Sequence, residues 1–316
     1  MAERTLIVGE DAGAALPRLD AFVSAVLPDL SRRLVRRVIA EGGVRVNGRR
    51  APKGLRLHAG DRVTVAELPA HLEPEPDLRI AVVYEDGDLV ALDKPGGMPA
   101  HALDPRQRGT AAAFLLARYP EVAAVGDHLA PGLVHRLDTG TSGLLLAART
   151  AGVYAVLRAA FRARAVEKWY LAAVAGNAAS LHGLRTAVPL AHDPRDRRRM
   201  VPAAPGARGW PAETYIEVLH AGHERSAVRA RIRTGLTHQV RAHLALLDHP
   251  VLGDRLYGGP PADLPADRHA LHAAAITLAH PADGRPLHLT CAPPGDLHAL
   301  LARPETHVSG RTRTRA

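Results

Sequence analysis

Residues 132–148 read GLVHRLDTGTSGLLLAA, and no other stretch limits the fold so tightly. An apolar entry, Leu133 and Val134, runs into the polar string His135, Arg136, Leu137, Asp138. Small residues from Thr139 to Gly143 follow, and then five apolar positions from Leu144 to Ala148. The pattern predicts strand, polar turn, strand. It sets one carboxylate, Asp138, beside one guanidinium, Arg136, on a turn whose glycines admit close approach of another backbone or a ligand. Taken alone, Asp138 is a turn former that bonds its own backbone. A polar turn between rigid strands is also where catalytic groups commonly sit.

Asp138, Thr139 and Gly140 also match the short signature of aspartic peptidases. Three residues are weak evidence, and that chemistry needs two carboxylates sharing a proton. The chain has no second Asp-Thr-Gly or Asp-Ser-Gly, so it could not work in that way without a second copy. The longer string HRLDTGTSG resembles the catalytic motif of the RluA-type pseudouridine synthases. The likeness continues in ordered blocks from about Ile80 to Pro294. Asp93-Lys94-Pro95-Gly96-Gly97 resembles a segment that precedes that motif. Lys168-Trp169-Tyr170-Leu171-Ala172 resembles the strand bearing the family's active-site tyrosine. Thr234 to His243, TGLTHQVRAH, resembles the segment bearing its arginine. The resemblance implies an α+β fold with a largely antiparallel mixed sheet. It makes Asp138 the nucleophile, Arg241 its ion-pair partner and Tyr170 the ring that stacks on a uracil. His135, Arg136, Thr141, Lys168, His238 and Gln239 are expected to bind the substrate. The chain departs from the family at Leu236, where an Arg is usual, which implies the loss of one substrate contact or structural ion pair.

Charge points the same way. The chain has 316 residues and a net charge of +9, with 41 Lys and Arg against 32 Asp and Glu. Such a balance favours an anionic partner. Between Ser31 and Arg62 lie ten basic and two acidic residues, which accounts for most of the excess. A helix over 20–27, a break at Pro28-Asp29, a second helix over 32–40 capped by Ser31, and short strands around an Asn47-Gly48 turn are predicted there. Arg32, Arg33, Arg36 and Arg37 fall on one face of the second helix, and Leu34, Val35, Val38 and Ile39 on the other. The pattern resembles the S-four-type (alpha-L) RNA-binding module, and implies phosphate contacts from these arginines, Arg45 and Arg49.

The expected organisation is a lead over 1–14, the RNA-binding module over 15–67, a Pro-rich linker over 68–78, a catalytic domain over 79–302 and a basic disordered tail over 303–316. Within the catalytic domain a helix over 151–165 is expected to turn Val153, Val156, Leu157 and Phe161 inward. A loop over 193–199 is strongly basic. Only Lys53, Lys94 and Lys168 are lysines, and two of these fall in the family-like segments. The single Cys291 excludes an internal disulfide and suits a cytoplasmic chain. No run of about 18 apolar residues predicts a membrane span. No Walker or GxGxxG loop implies a nucleotide, and the histidines form no metal pattern. The expected protein is a cofactor-free monomer that converts uridine to pseudouridine in RNA, ribosomal large-subunit RNA before tRNA. A non-catalytic RNA-binding or ribosome-assembly protein is the alternative.

Overall fold

A computed structural model describes residues 3–9, 17–27, 32–66 and 71–302. Residues 1–2, 10–16, 28–31, 67–70 and 303–316, which include Pro28, Asp29, Ser31, half of the lead and the whole tail, lie outside the described residues. The chain divides into two compact units. The first holds residues 1–73 together with 103–107. That second stretch was expected in the catalytic domain, but Arg106 binds Glu41 of the first unit at 3.0 Å.

The first unit contains β1 (Glu3–Ile7), α1 (Leu19–Val26), α2 (Arg32–Glu41), β2 (Val44–Val46), β3 (Arg49–Arg50) and β4 (Arg62–Ala66). Its strands form one sheet in the order β1-β4-β2-β3. Asn47 and Gly48 both have positive φ, 50° and 78°, as a two-residue hairpin turn between β2 and β3 requires. Leu34, Val35, Val38 and Ile39 are buried with Leu19, Val23, Val44 and Val63. Arg32, Arg36 and Arg37 are exposed on the other side of α2, and Arg45 and Arg49 are exposed on the strands.

The second unit is built on a nine-stranded sheet. In chain order it comprises β5 (Ala81–Glu85), β6 (Leu89–Lys94), α3 (Ala111–Arg118), the short pair β7 (Gly126–Asp127) and β8 (Ala130–Pro131), β9 (Ser142–Ala148), α4 (Ala151–Arg162), β10 (Glu167–Ala175) and β11 (Arg185–Thr186). Then come the hairpin β12 (Leu190–His192) and β13 (Met200–Pro202), β14 (Thr214–Ala221), β15 (Arg225–Ile232), α5 (Gln239–Leu246), β16 (Leu271–Ala279), β17 (Pro286–Thr290) and α6 (Gly295–Leu301). The sheet runs β11-β14-β15-β10-β16-β9-β6-β5, with β17 also paired to β16. All pairs are antiparallel except β9 with β16. Every residue of β9 is buried. A strand covered on both faces reads as an unbroken apolar run, as Leu144 to Ala148 does.

Three expectations change. Val156 is 48% exposed, whereas Val153 and Leu157 are buried in the core with Leu144, Leu146 and Ile276. Val153 and Leu157 define the buried face, and Val156, about 100° round the helix from Leu157, falls at its solvent edge. The helix also stops at Arg162, because Arg164 takes a left-handed φ of 59°. The apolar entry Leu133-Val134 makes a single bridge to Ala147 rather than a strand, and the strand that follows begins earlier than expected, at Ser142.

The one parallel pairing fixes the turn that bears Asp138. Ser142 and Gly143 pair with His272 and Ala273. Gly143 has φ 108°, and a Cβ there would lie 2.3 Å from the Ala273 carbonyl oxygen. At Gly140 a Cβ would lie 2.6 Å from His269 Nδ1. Both glycines are therefore required by close approach, not by turn flexibility alone.

Candidate active site

Asp138, Tyr170 and Arg241 come from a turn, the strand β10 and the helix α5, and all line one cavity of about 430 Å³. Arg241 Nη1 donates to Asp138 Oδ2 at 2.8 Å. The same guanidinium is held from behind by Asp254, with Nε to Oδ2 at 2.6 Å and Nη2 to Oδ1 at 2.9 Å. The Tyr257 ring lies 5.2 Å from the guanidinium carbon. A planar fork gripped at two nitrogens leaves the third aimed at one place. Asp254 and Tyr257 belong to the sequence LGDRLYG, which carries the family likeness but suggests no role by itself. Their part follows from folding that loop back under α5, which no local pattern encodes.

Burial pushes the Asp138 carboxyl up, but the Arg241 charge and hydrogen bond, joined by the charge of His238 when that ring is protonated, outweigh it and hold it below the usual carboxylate range. Burial also opposes the Arg241 charge, and the Asp254 and Asp138 contacts overcome it and raise Arg241 above its ordinary value. Burial lowers His238 in turn, so Arg241 is the lasting cation beside Asp138. Burial and the Asp138 charge raise Tyr170, which keeps its proton. Two carboxylates here share one arginine rather than one proton, which is not the peptidase arrangement.

The turn itself is pinned from three sides. Lys94, fully buried, donates through Nζ to the carbonyls of Met98 at 2.7 Å, Pro95 at 2.8 Å and Thr139 at 3.3 Å. Burial lowers it to about 7, offset in part by the Asp138 charge. Three carbonyl acceptors match the three N–H bonds of an ammonium. Thr141 Oγ1 lies 2.8 Å from His269 Nε2, and Ser142 Oγ lies 2.9 Å from His272 Nδ1.

Several residues expected to touch substrate serve this scaffold. His135 Nε2 accepts the Leu146 N–H at 3.0 Å, and its ring stacks on Phe161 at 5.0 Å. Lys168 Nζ donates to the Thr234 carbonyl at 2.9 Å. Gln239 is engaged at both ends, donating to the Glu213 carbonyl at 2.8 Å and accepting from Thr234 Oγ1 at 2.8 Å. All three still border the cavity. Arg136 is half-exposed or more at its rim and forms no ion pair among the described residues. Leu236 packs half-buried against a cluster of Leu190, Met200, Ala212, Ala242 and Tyr257, so an apolar side chain is accommodated there. Apart from this site, Asp86, Asp88 and His280 lie close together, but Asp86 accepts from the Asp88 and Leu89 N–H groups and closes the β5–β6 turn.

The family model described as RNA pseudouridylate synthase matches residues 88–246, half of the chain. The chain belongs to the RNA pseudouridine synthase family. A model of the S4 domain matches residues 17–63, which gives the synthase an RNA-binding unit ahead of its catalytic one. An RNA pseudouridine synthase of Chloroflexus aurantiacus is 38% identical over 92% of this chain and 91% of its own length. The ribosomal large subunit pseudouridine synthase D of Xanthomonas campestris is 34% identical over 92% of this chain and 89% of its own. Human RNA pseudouridylate synthase domain containing 1 superposes with a TM-score of 0.55 at 26% identity, covering 72% of this chain and 89% of that one. The synthase therefore has the expected mixed fold. No described helix is long and apolar enough to cross a membrane.

Proposed function

We propose that the synthase isomerises a specific uridine of large-subunit ribosomal RNA, with Asp138 as its nucleophile, as a cytoplasmic monomer. The reaction breaks the N-glycosidic bond, turns the uracil and rejoins it through carbon. Nothing is oxidised and no group is added, so the reaction itself calls for no redox or group-carrying cofactor. It needs a carboxylate that stays ionised, and the observation that carries the reading is the Asp138–Arg241 contact at 2.8 Å. The uridine must leave its stack to expose its sugar and ring. Tyr170 offers a protonated ring to stack on the uracil. Arg136, at the rim, takes the vacated space or a phosphate. The target RNA is assigned from relatives named for the large ribosomal subunit. Mapping pseudouridines in total RNA with and without the gene tests it. Loss of a large-subunit site is expected, and loss confined to tRNA would reassign the target. Loss of none would favour a non-catalytic RNA-binding or assembly protein.

The first unit is read as the phosphate-binding part. Changing Arg32, Arg36, Arg45 and Arg49 together to Ser should weaken RNA binding and reduce the slope of log affinity against log salt by about 3, roughly 0.7–0.9 for each phosphate no longer neutralised. Filter binding from low to moderate salt reads the slope. An unchanged slope would place the phosphates elsewhere.

A further inference from the structure

We infer that His238 is a second catalytic group, the base that carries the uracil C5 proton to N1 in the last step of the reaction. The inference rests on the proposed chemistry at Asp138. Once C5 has joined C1′, it holds both the sugar and its original hydrogen, while N1 lacks one. The product forms when C5 gives up that proton, its electron pair returns to the ring, and N1 gains a proton. A base that accepts the first and returns it to the second ends unchanged, and no outside reagent is consumed.

His238 is built for this task. It precedes α5 with a left-handed φ of 54°. A histidine held in that sparsely populated region marks a position where the fold fixes a side chain against its backbone preference. Its ring meets Tyr257 edge-on at 5.8 Å, and Nδ1 lies 3.3 Å from the Tyr257 hydroxyl. The other nitrogen, Nε2, lies 3.8 Å from Asp138 Oδ1 and borders the cavity. Because C5 becomes bonded to C1′, the atom Asp138 faces, its proton comes within reach of Nε2.

Tyr170 also lines the cavity, but burial and the Asp138 charge keep its proton on, and other nearby groups are engaged elsewhere. Lys168 Nζ is directed to Thr234, His135 Nε2 receives the Leu146 N–H, and His269 Nε2 faces Thr141. Arg241 is shared by two carboxylates. The charged groups around His238 are Asp138, Asp254, Arg241 and Arg136, with Tyr257 and His269 also near. Burial is the largest influence on His238 and lowers it, which leaves a neutral imidazole able to accept a proton.

His238→Asn and His238→Gly separate proton transfer from shape, because both residues tolerate a left-handed φ. RNA carrying 5-deuterouridine is converted under single-turnover conditions. His238→Asn should bind RNA as the native chain does but turn over about 10²- to 10⁴-fold more slowly. It should also show a C5 deuterium isotope effect that the native enzyme lacks. Added imidazole should restore His238→Gly in proportion to its neutral concentration. A native rate in His238→Asn overturns the inference. So does a slow His238→Asn with no isotope effect together with a His238→Gly that imidazole fails to restore, since that describes a structural residue. A native chain that forms no pseudouridine overturns the proposed function, and this inference with it.

Discussion

Asp138→Asn should abolish pseudouridine formation, by about four to six orders of magnitude as for the loss of a nucleophile, while leaving the fold in place. Asn keeps the size and one acceptor for Arg241 Nη1, but it cannot attack or hold a negative charge. Arg241 stays seated because its grip on Asp254 at 2.6 and 2.9 Å is untouched. The pH dependence of stability separates this variant from the native chain. The Asp138 carboxyl lies below its usual value in the folded state. Its ionised form therefore favours folding at pH above the unfolded carboxylate value of about 3.9, and that advantage fades as pH falls through the folded value. The native chain should thus unfold at a higher temperature than Asp138→Asn near neutrality, and the gap should close in acid. Thermal melts across pH, beside a tritium-release or primer-stop assay for pseudouridine, check both. Appreciable turnover by Asp138→Asn would remove the carboxylate from the chemistry.

The turn bearing Asp138 was legible because its composition is unusual over a long run, and the catalytic strand and helix faces follow simple periods. The apolar run of β9, the α2 faces and the Asn47-Gly48 turn are local facts, and the structure has them where local physics puts them. Other features depend on pairing across the chain. That Ser142 and Gly143 begin a strand is decided by His272 and Ala273, about 130 residues on. The segment with Arg241 is legible by likeness, but nothing local announces α5, whose polar residues Gln239, Arg241 and His243 are all buried. Their burial is tolerable because each finds a partner: Gln239 at Thr234, Arg241 at two aspartates, His243 Nδ1 at Thr214 Oγ1, 2.8 Å away. The roles of Asp254 and Tyr257 are hidden for the same reason. A loop Asp reads as a turn former until the fold places a guanidinium against it.

Arg241→Ala should cost more than the ion pair seen by Asp138 alone. It removes the cation between two carboxylates, Asp138 at 17% and Asp254 at 1% side-chain exposure. Water is poorly placed to replace it, and removing one partner of a buried pair costs about 3–5 kcal/mol. With the guanidinium gone, burial, already the largest single influence on both carboxyls, is opposed at Asp138 mainly by His238, and both carboxyls move upward. Activity should fall by about 10²- to 10³-fold, the order lost when a preorganised charge partner is removed, and the residual rate should rise with pH as Asp138 ionises late. Arg241→Lys keeps a charge but not the fork. A lysine cannot reach both Asp254 oxygens and Asp138 Oδ2 at once, so it should recover stability more than rate. Asp254→Ala should act in the same direction more weakly, leaving Arg241 charged but no longer aimed, with kcat falling while RNA affinity holds. Single-turnover rates from pH 5 to 9, with melts of each variant, test the series. An Arg241→Ala enzyme with a native pH profile would mean that Asp138 stays ionised without the guanidinium, and that the pair at 2.8 Å is architecture alone.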